Sequence, residues 1–239
     1  MAASNDRDWS LDQAILPYAN IDRTLVTIHN IRNFIYRTTD DYTPGYYDKT
    51  FDLNKIKSLD YVVSPFSFWH AVAHAFLTFG FENGEHISIS IEIRKKKGDV
   101  FSPFKGLFNA FEIMYVIADE NDVIKLRTNI RKDKVYIYPI KASQEKIAAL
   151  FVDMIKRANA LKDFPEFYNT LSNSCTTNIA HHVNAISPKK IPWDPRIILA
   201  GYSDKLAYNL GLIDTKLSFR ETRASCLLTD FSTAKRKRT

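Results

Sequence analysis

The chain holds two cysteines among its 239 residues, and Cys175 stands in a segment where a thiol can become reactive. The stretch Phe167-Tyr-Asn-Thr-Leu-Ser-Asn-Ser-Cys175-Thr-Thr offers Ser172, Asn173 and Ser174 as helix N-cap residue types. Ile179, Val183 and Ile186 follow at three- and four-residue spacings, so a helix is expected to start at or near Cys175. Unpaired N–H groups and the positive dipole end of such a helix favour a thiolate, lowering a pKa of about 8.5 in a free thiol. The same N–H groups suit an oxyanion. Against the nucleophile stands the plainer reading of Cys175 as a small buried hydrophobe. Cys226 falls in an apolar pattern with no capping signal before it and reads as packing.

A thiol nucleophile needs a base, and the spacing around Asn83-Gly84 supplies a candidate. Residues 73–81 and 85–93 alternate as two strands of a hairpin. Ala75, Leu77, Phe79 and Phe81 share one face of the first, and Ile87, Ile89, Ile91 and Ile93 one face of the second. Matching the apolar faces requires an odd-numbered loop, met by Glu82-Asn83-Gly84 with Gly84 left-handed. Phe81 then pairs with Glu85, and counting back places His74 across from Glu92. An imidazole beside a carboxylate is the base-plus-orienter half of a thiol protease or acyltransferase site. The alternative is a cross-strand polar pair that satisfies only itself. His181 and His182 lie about two turns down the Cys175 helix, too far along its axis to serve the thiol. His29 and Arg32 read as satisfied polar residues of a strand over 24–36. With no CxxC or HExxH, neither a metal nor a cofactor is expected.

The elements that must position these groups read as an α+β chain. A short helix is expected over 8–14, strands over 59–63, 112–117 and 135–140, and a helix over 119–131. Residues 38–50 read as a loop. A long amphipathic helix starts at Ser143, with Ile147, Leu150, Phe151, Met154, Ile155 and Ala158 as its buried stripe. Short helices follow around Ile197, Leu206 and Leu210, then over 218–234. Hydrophobic content of 45% supports a core, and neither a linker nor a repeat divides the chain. A single domain over 1–239 is expected, with its core over about 20–186 and a helical C-terminal extension over 187–239.

Thirty-three basic against twenty-seven acidic residues leave a net charge of +6, concentrated in Arg94-Lys-Lys-Lys97 and Lys235-Arg-Lys-Arg238. Such runs are first of all solvated faces. Contact with an anionic membrane surface is the next reading, and nucleic acid is not expected, since no binding motif accompanies them. No run of eighteen apolar residues and no signal peptide is present, so the chain as given reads as soluble. Two cysteines do not fix the redox compartment.

Taken together, several short motifs resemble one bacterial family, the Lnb-type N-terminal periplasmic domain. They are Asn5-Asp-Arg-Asp-Trp9, His29-Asn-Ile-Arg-Asn-Phe34, Ala73-His74, Phe79-Gly-Phe81, Ser90-Ile-Glu92-Ile-Arg94, Asp119-Glu-Asn-Asp122, Leu126-Arg-Thr-Asn129, Phe167-Tyr-Asn-Thr170 and Asn173-Ser-Cys-Thr-Thr177. Departures are small: Ser174 stands where the family usually has Asn, and Ala75 where it has Thr. The resemblance implies an antiparallel sheet packed against helices in a circularly permuted papain-like (NlpC-like) core, with histidine ahead of cysteine. It also implies transfer of a fatty acyl chain from phospholipid to the N-terminal amine of a diacylglyceryl lipoprotein, on the periplasmic side of the bacterial inner membrane. In that scheme Cys175 attacks the ester, His74 moves the proton and Glu92 orients the ring. Asn173 and Thr176 are candidates for oxyanion support, and Arg94 either meets a phosphate or pairs with a local carboxylate. Family members generally carry N-terminal membrane segments, so the chain looks like the soluble part of an anchored protein or a member without the anchor. A cysteine peptidase or amidase and a non-catalytic lipid- or lipoprotein-binding module are the alternatives. A tunnel lined by Phe76, Phe101, Phe104 or Phe108 is expected of the acyltransferase, an open polar groove of the peptidase.

Overall fold

The computed structural model describes residues 2–66, 69–99, 105–108, 110–228 and 230–231. Its strands are β1 (Tyr18–Asp22), β2 (Leu25–Arg32), β3 (Ile35–Tyr36), β4 (Tyr42–Thr43), β5 (Tyr46–Asp52), β6 (Ile56–Pro65), β7 (Ala73–Phe81), β8 (His86–Arg94), β9 (Glu112–Asp119), β10 (Val135–Pro139) and β11 (Leu227–Leu228). Helices are α1 (Glu120–Lys125), α2 (Gln144–Asp163), α3 (Cys175–Ile186), α4 (Pro195–Ile198), α5 (Ser203–Asn209) and α6 (Phe219–Ser225). One sheet runs in the order β1-β2-β9-β8-β7-β6-β10-β11, with β5 also paired to β2 and β3–β4 forming a separate ribbon. Every pairing is antiparallel except the contact of β2 with β9. The fold is therefore mixed α+β on a mostly antiparallel sheet, as expected.

Alternation decides which residue faces which layer. Ala75, Leu77, Phe79, Phe81, Ile87, Ile89 and Ile91 join Ile147, Leu150, Phe151, Met154 and Ile155 of α2 in the larger core, on one side of the sheet. Phe76, Met114 and Val116 point the other way and pack with Val123 and Ile124 of α1. Both faces are thus covered, and all but one of the nine residues of β7 are buried.

The β7–β8 register matches the expected count. Phe76 pairs with Ser90 and Gly80 with His86, the Phe81 N–H donates to the Glu85 carbonyl, and Gly84 takes φ +77°. Pairing stops at Phe76–Ser90, yet β7 runs on to Ala73 against β6 and β8 to Arg94 against β9. The sheet opens there, with β7 on one side of the opening and β8 on the other.

Several elements differ from the sequence reading. Residues 8–14 hold only a 3-10 turn at Leu11–Gln13. The strand expected over 24–36 ends at Arg32, its register shifting where Asn30 takes φ +62°. The loop expected over 38–50 contains β4 and most of β5, whose polar, half-exposed residues hide a strand. The helix over 119–131 is α1 followed by a π-helical turn, Leu126–Ile130. The final helix stops at Ser225, and β11 returns to pair with β10, so the C-terminal region also contributes a strand to the sheet.

Candidate functional site

Helix α3 starts at Cys175. Ser174 is its N-cap: the Ser174 hydroxyl accepts from the Thr177 N–H, and the Ser174 N–H donates to Thr177 Oγ1 at 2.7 Å. Of the three candidate caps the sequence offered, this is the one used. Cys175 is 4% exposed and sits in the larger core with Ala73, Ala75 and Tyr61. Burial pushes its thiol pKa up, against the N–H groups of Ala75 and Thr176, which favour the anion. At rest, Cys175 is a neutral thiol beside Ala75, where the sheet opens.

An apolar cleft begins one residue further along. Its walls include Thr176, Ile179, Ala180 and Val183 of α3, Leu150 of α2, Leu77 of β7 and Tyr61 of β6. Thr176 and Ile186 both line it, so it follows α3 for about 15 Å at 1.5 Å per residue. Its volume is about 160 Å³, close to that of a dry cavity that accepts benzene. The cleft can hold a short run of methylenes while the rest of a chain lies outside. Of the phenylalanines expected to line a tunnel, Phe76 is buried on the opposite side of the sheet, while Phe101, Phe104 and the Phe108 side chain lie outside the described residues.

His74 and Glu92 come together as the register implied, with His74 Nε2 3.6 Å from Glu92 Oε1. Ser90 lies between them, its hydroxyl 2.7 Å from His74 Nε2 and donating to Glu92 Oε1 at 2.8 Å. Arg127 Nη2 is 3.5 Å from the same carboxylate oxygen, with its guanidinium over the Phe76 ring. Burial and the Arg127 charge push the His74 pKa down to about 3 against the pull of Glu92. Burial opposes the Glu92 charge too, but Arg127, Arg32 and the Ser90 hydroxyl together hold its carboxyl below the usual range. The pair is a neutral imidazole beside an ionised carboxylate.

The thiol is not joined to this pair. The His74 ring stacks on Phe76, which packs in the core on the α1 side, whereas Cys175 packs with Ala75 on the α2 side. Imidazole and sulfur thus flank adjacent residues of one strand from its two faces. Among the described residues no hydrogen bond links them.

The remaining candidates have partners of their own. Asn173 donates to the Phe167 carbonyl at 2.9 Å and accepts from Asn178 at 2.9 Å, holding the turn before α3. Thr176 Oγ1 donates to the Ile197 carbonyl, which ties α4 to the cleft wall. All three guanidinium nitrogens of Arg94 are used, on the carbonyls of Gln13 and Ala14 and on Asn5 Oδ1, and the group lies 4.2 Å over the Trp9 ring. Its hydrogen bonds go to the N-terminal segment, and Glu112, across the β8–β9 ladder, is the carboxylate whose charge acts on it. Lys96 and Lys97 are exposed, as a solvated run should be, while Lys235 to Arg238 lie outside the described residues. His182 bonds Asp153 and Tyr115, both at 2.6 Å, and so belongs to packing beneath α3.

Sequence reasoning missed Ser90 and Arg127 as neighbours of the pair. Ser90 was recoverable, since it shares a strand face with Glu92 and sits diagonally from His74. Arg127 was not, because only the turn after β9 carries it there. Asp122 was missed as well: fully buried, it holds Arg32 at 2.8 Å and the Phe34 N–H at 2.9 Å, pinning β2 beside α1.

Among the described residues no group of three or more His, Cys, Asp or Glu could hold a metal, and no helix is long and apolar enough to cross a membrane. A family model described as the Lnb N-terminal periplasmic domain matches residues 42–201, more than half of the chain. No curated protein and no solved structure matches it.

Proposed function

The chain belongs to the Lnb N-terminal periplasmic domain family, and from that premise we propose that it is a thiol-dependent acyltransferase built on a circularly permuted papain-like core. The observation that carries the reading is the apolar cleft that starts at Thr176, next to a buried cysteine at a capped helix N-terminus. A peptide groove would want polar walls beside the thiol; these walls are mostly aliphatic. The acyl donor is a phospholipid, and its chain lies along α3.

In this reading the ester enters where β7 and β8 part. His74 reaches the sulfur through that opening and takes its proton, and the thiolate adds to the ester carbonyl. The N–H groups of Ala75 and Thr176 face the oxyanion that results. Collapse expels the lysophospholipid alkoxide, which takes its proton back from His74 and leaves a Cys175 thioester. The amine of a diacylglyceryl lipoprotein then attacks, and the amide forms as the thiol is regenerated. Glu92, kept ionised by Arg127 and Arg32, steadies the transient imidazolium.

Incubation with phospholipid carrying a labelled acyl chain, followed by intact mass, tests the reading. An acyl adduct on Cys175 that hydroxylamine removes is expected. Absence of the adduct, or its persistence in Cys175→Ala, overturns the proposal.

A further inference from the structure

The two partners of one hydroxyl determine more than proximity. The Ser90 side chain is fully buried, 2.7 Å from His74 Nε2 and 2.8 Å from Glu92 Oε1. A hydroxyl has one proton to give. An ionised carboxylate has none, and a bond to it is charge-assisted and stronger than one to a neutral nitrogen. The Ser90 proton therefore goes to Glu92, and the bond to His74 must use a proton already on Nε2. Among the described residues Nδ1 has no hydrogen-bond partner.

We propose that Ser90 is a positioning residue that relays the Glu92 charge to His74, fixing the ring as the Nε2–H tautomer with Nδ1 as its proton acceptor. Ser90 is no nucleophile itself, despite its contact with a histidine, because it is sealed from solvent and its proton is committed to a carboxylate. Glu92 at 3.6 Å from the ring is too far for a good direct bond. The serine converts that gap into two short ones. It also explains a serine on a sheet face where the neighbouring pair Thr78–Ser88 bonds only within itself.

The inference rests on the reading of His74 as the proton acceptor for Cys175, but its first measurement does not. Nitrogen-15 NMR of the full chain at neutral pH, with the His74 signal assigned by its loss in His74→Gln, reports the tautomer directly. A single neutral Nε2–H form is expected in the unsubstituted protein; an Nδ1–H form overturns the proposal. In Ser90→Ala the ring loses its bond and both tautomers are expected. In Glu92→Gln the Ser90 hydroxyl is free to turn toward the ring, and Nδ1–H should appear. If both variants keep pure Nε2–H, the relay is wrong. In Ser90→Ala the rate of Cys175 acylation should fall on the order of tenfold. Tautomers that shift as expected in a protein that never acylates Cys175 would keep the relay and sink the acyltransferase.

Discussion

Acidification should destabilise this protein through His74 in particular. The ring is neutral in the native state with a pKa near 3, whereas in an unfolded chain it titrates near 6.5. A histidine with a depressed native pKa adds to stability fully above its unfolded value and loses that contribution as pH falls toward the native one, because only the unfolded state gains a proton. Between pH 7.5 and pH 5 the linkage relation gives a loss of about 2 kcal/mol from this residue alone. For a chain of this length that is a fall in Tm of roughly 4–8 °C. Denaturant unfolding of the unsubstituted protein and of His74→Gln, each at both pH values, isolates the effect. His182, also depressed by burial, loses stability equally in both proteins and cancels, and staying at or above pH 5 keeps most carboxylates out. The variant should be less acid-sensitive by about 2 kcal/mol. Equal losses in the two proteins would mean that His74 is not held neutral by burial and Arg127, and the description of the pair as imidazole and carboxylate would fail.

Other substitutions test the remaining contacts. Asp122→Asn leaves the buried Arg32 guanidinium without its counter-charge, and denaturant unfolding should show a loss of about 3–5 kcal/mol. Ala180→Leu narrows the apolar cleft, so transfer from long-chain donors should slow while alkylation of Cys175 by a small reagent is unchanged. Gly201→Ala drives a methyl group into the backbone at His70 and Ala71, and should lower stability by about 1–3 kcal/mol in thermal unfolding. Iodoacetamide at neutral pH should label Cys226 before Cys175, which mass spectrometry of peptides resolves, since Cys175 is the buried one of the two and burial holds its thiol protonated.

The parts legible in the sequence were those governed by local rules. Alternation and an Asn-Gly turn set the β7–β8 register, and with it the meeting of His74 and Glu92. Cap residues ahead of spaced aliphatics located the start of α3. Less legible were features that depend on what covers a surface. Strand β5 reads as a loop because Tyr46, Lys49 and Thr50 pair with β2 while remaining exposed or half-exposed, and no apolar alternation marks them. Arg94 reads as part of a basic run, yet carbonyls of residues 13 and 14 and a tryptophan ring cover it from eighty positions away. The cleft could not be foreseen either, since its walls come from two strands, four helices and the segments that follow β10, α3 and α5. Phe76, one of the four phenylalanines expected to line a tunnel, fills the core on the α1 side instead.

The opening in the sheet connects these observations. Had β7 and β8 paired along their whole length, Ala75 would be hydrogen-bonded to its neighbour strand and His74 and Cys175 would stay on opposite sides of a continuous wall. Instead pairing ends at Ser90, the residue that holds the imidazole. The Ala75 N–H is left to face the sulfur. On the α1 side Arg127 and Arg32 maintain a carboxylate charge that would be costly to bury alone, and on the α2 side the cleft offers a mostly aliphatic wall, with Lys141 and Lys146 also on its lining. A polar face that can handle a proton and an apolar face that can take a hydrocarbon chain thus meet at one gap. The imidazole and the thiol are both neutral, and each lies on its own side. Under the proposed function, the same separation would make substrate entry at the gap the event that turns the chemistry on.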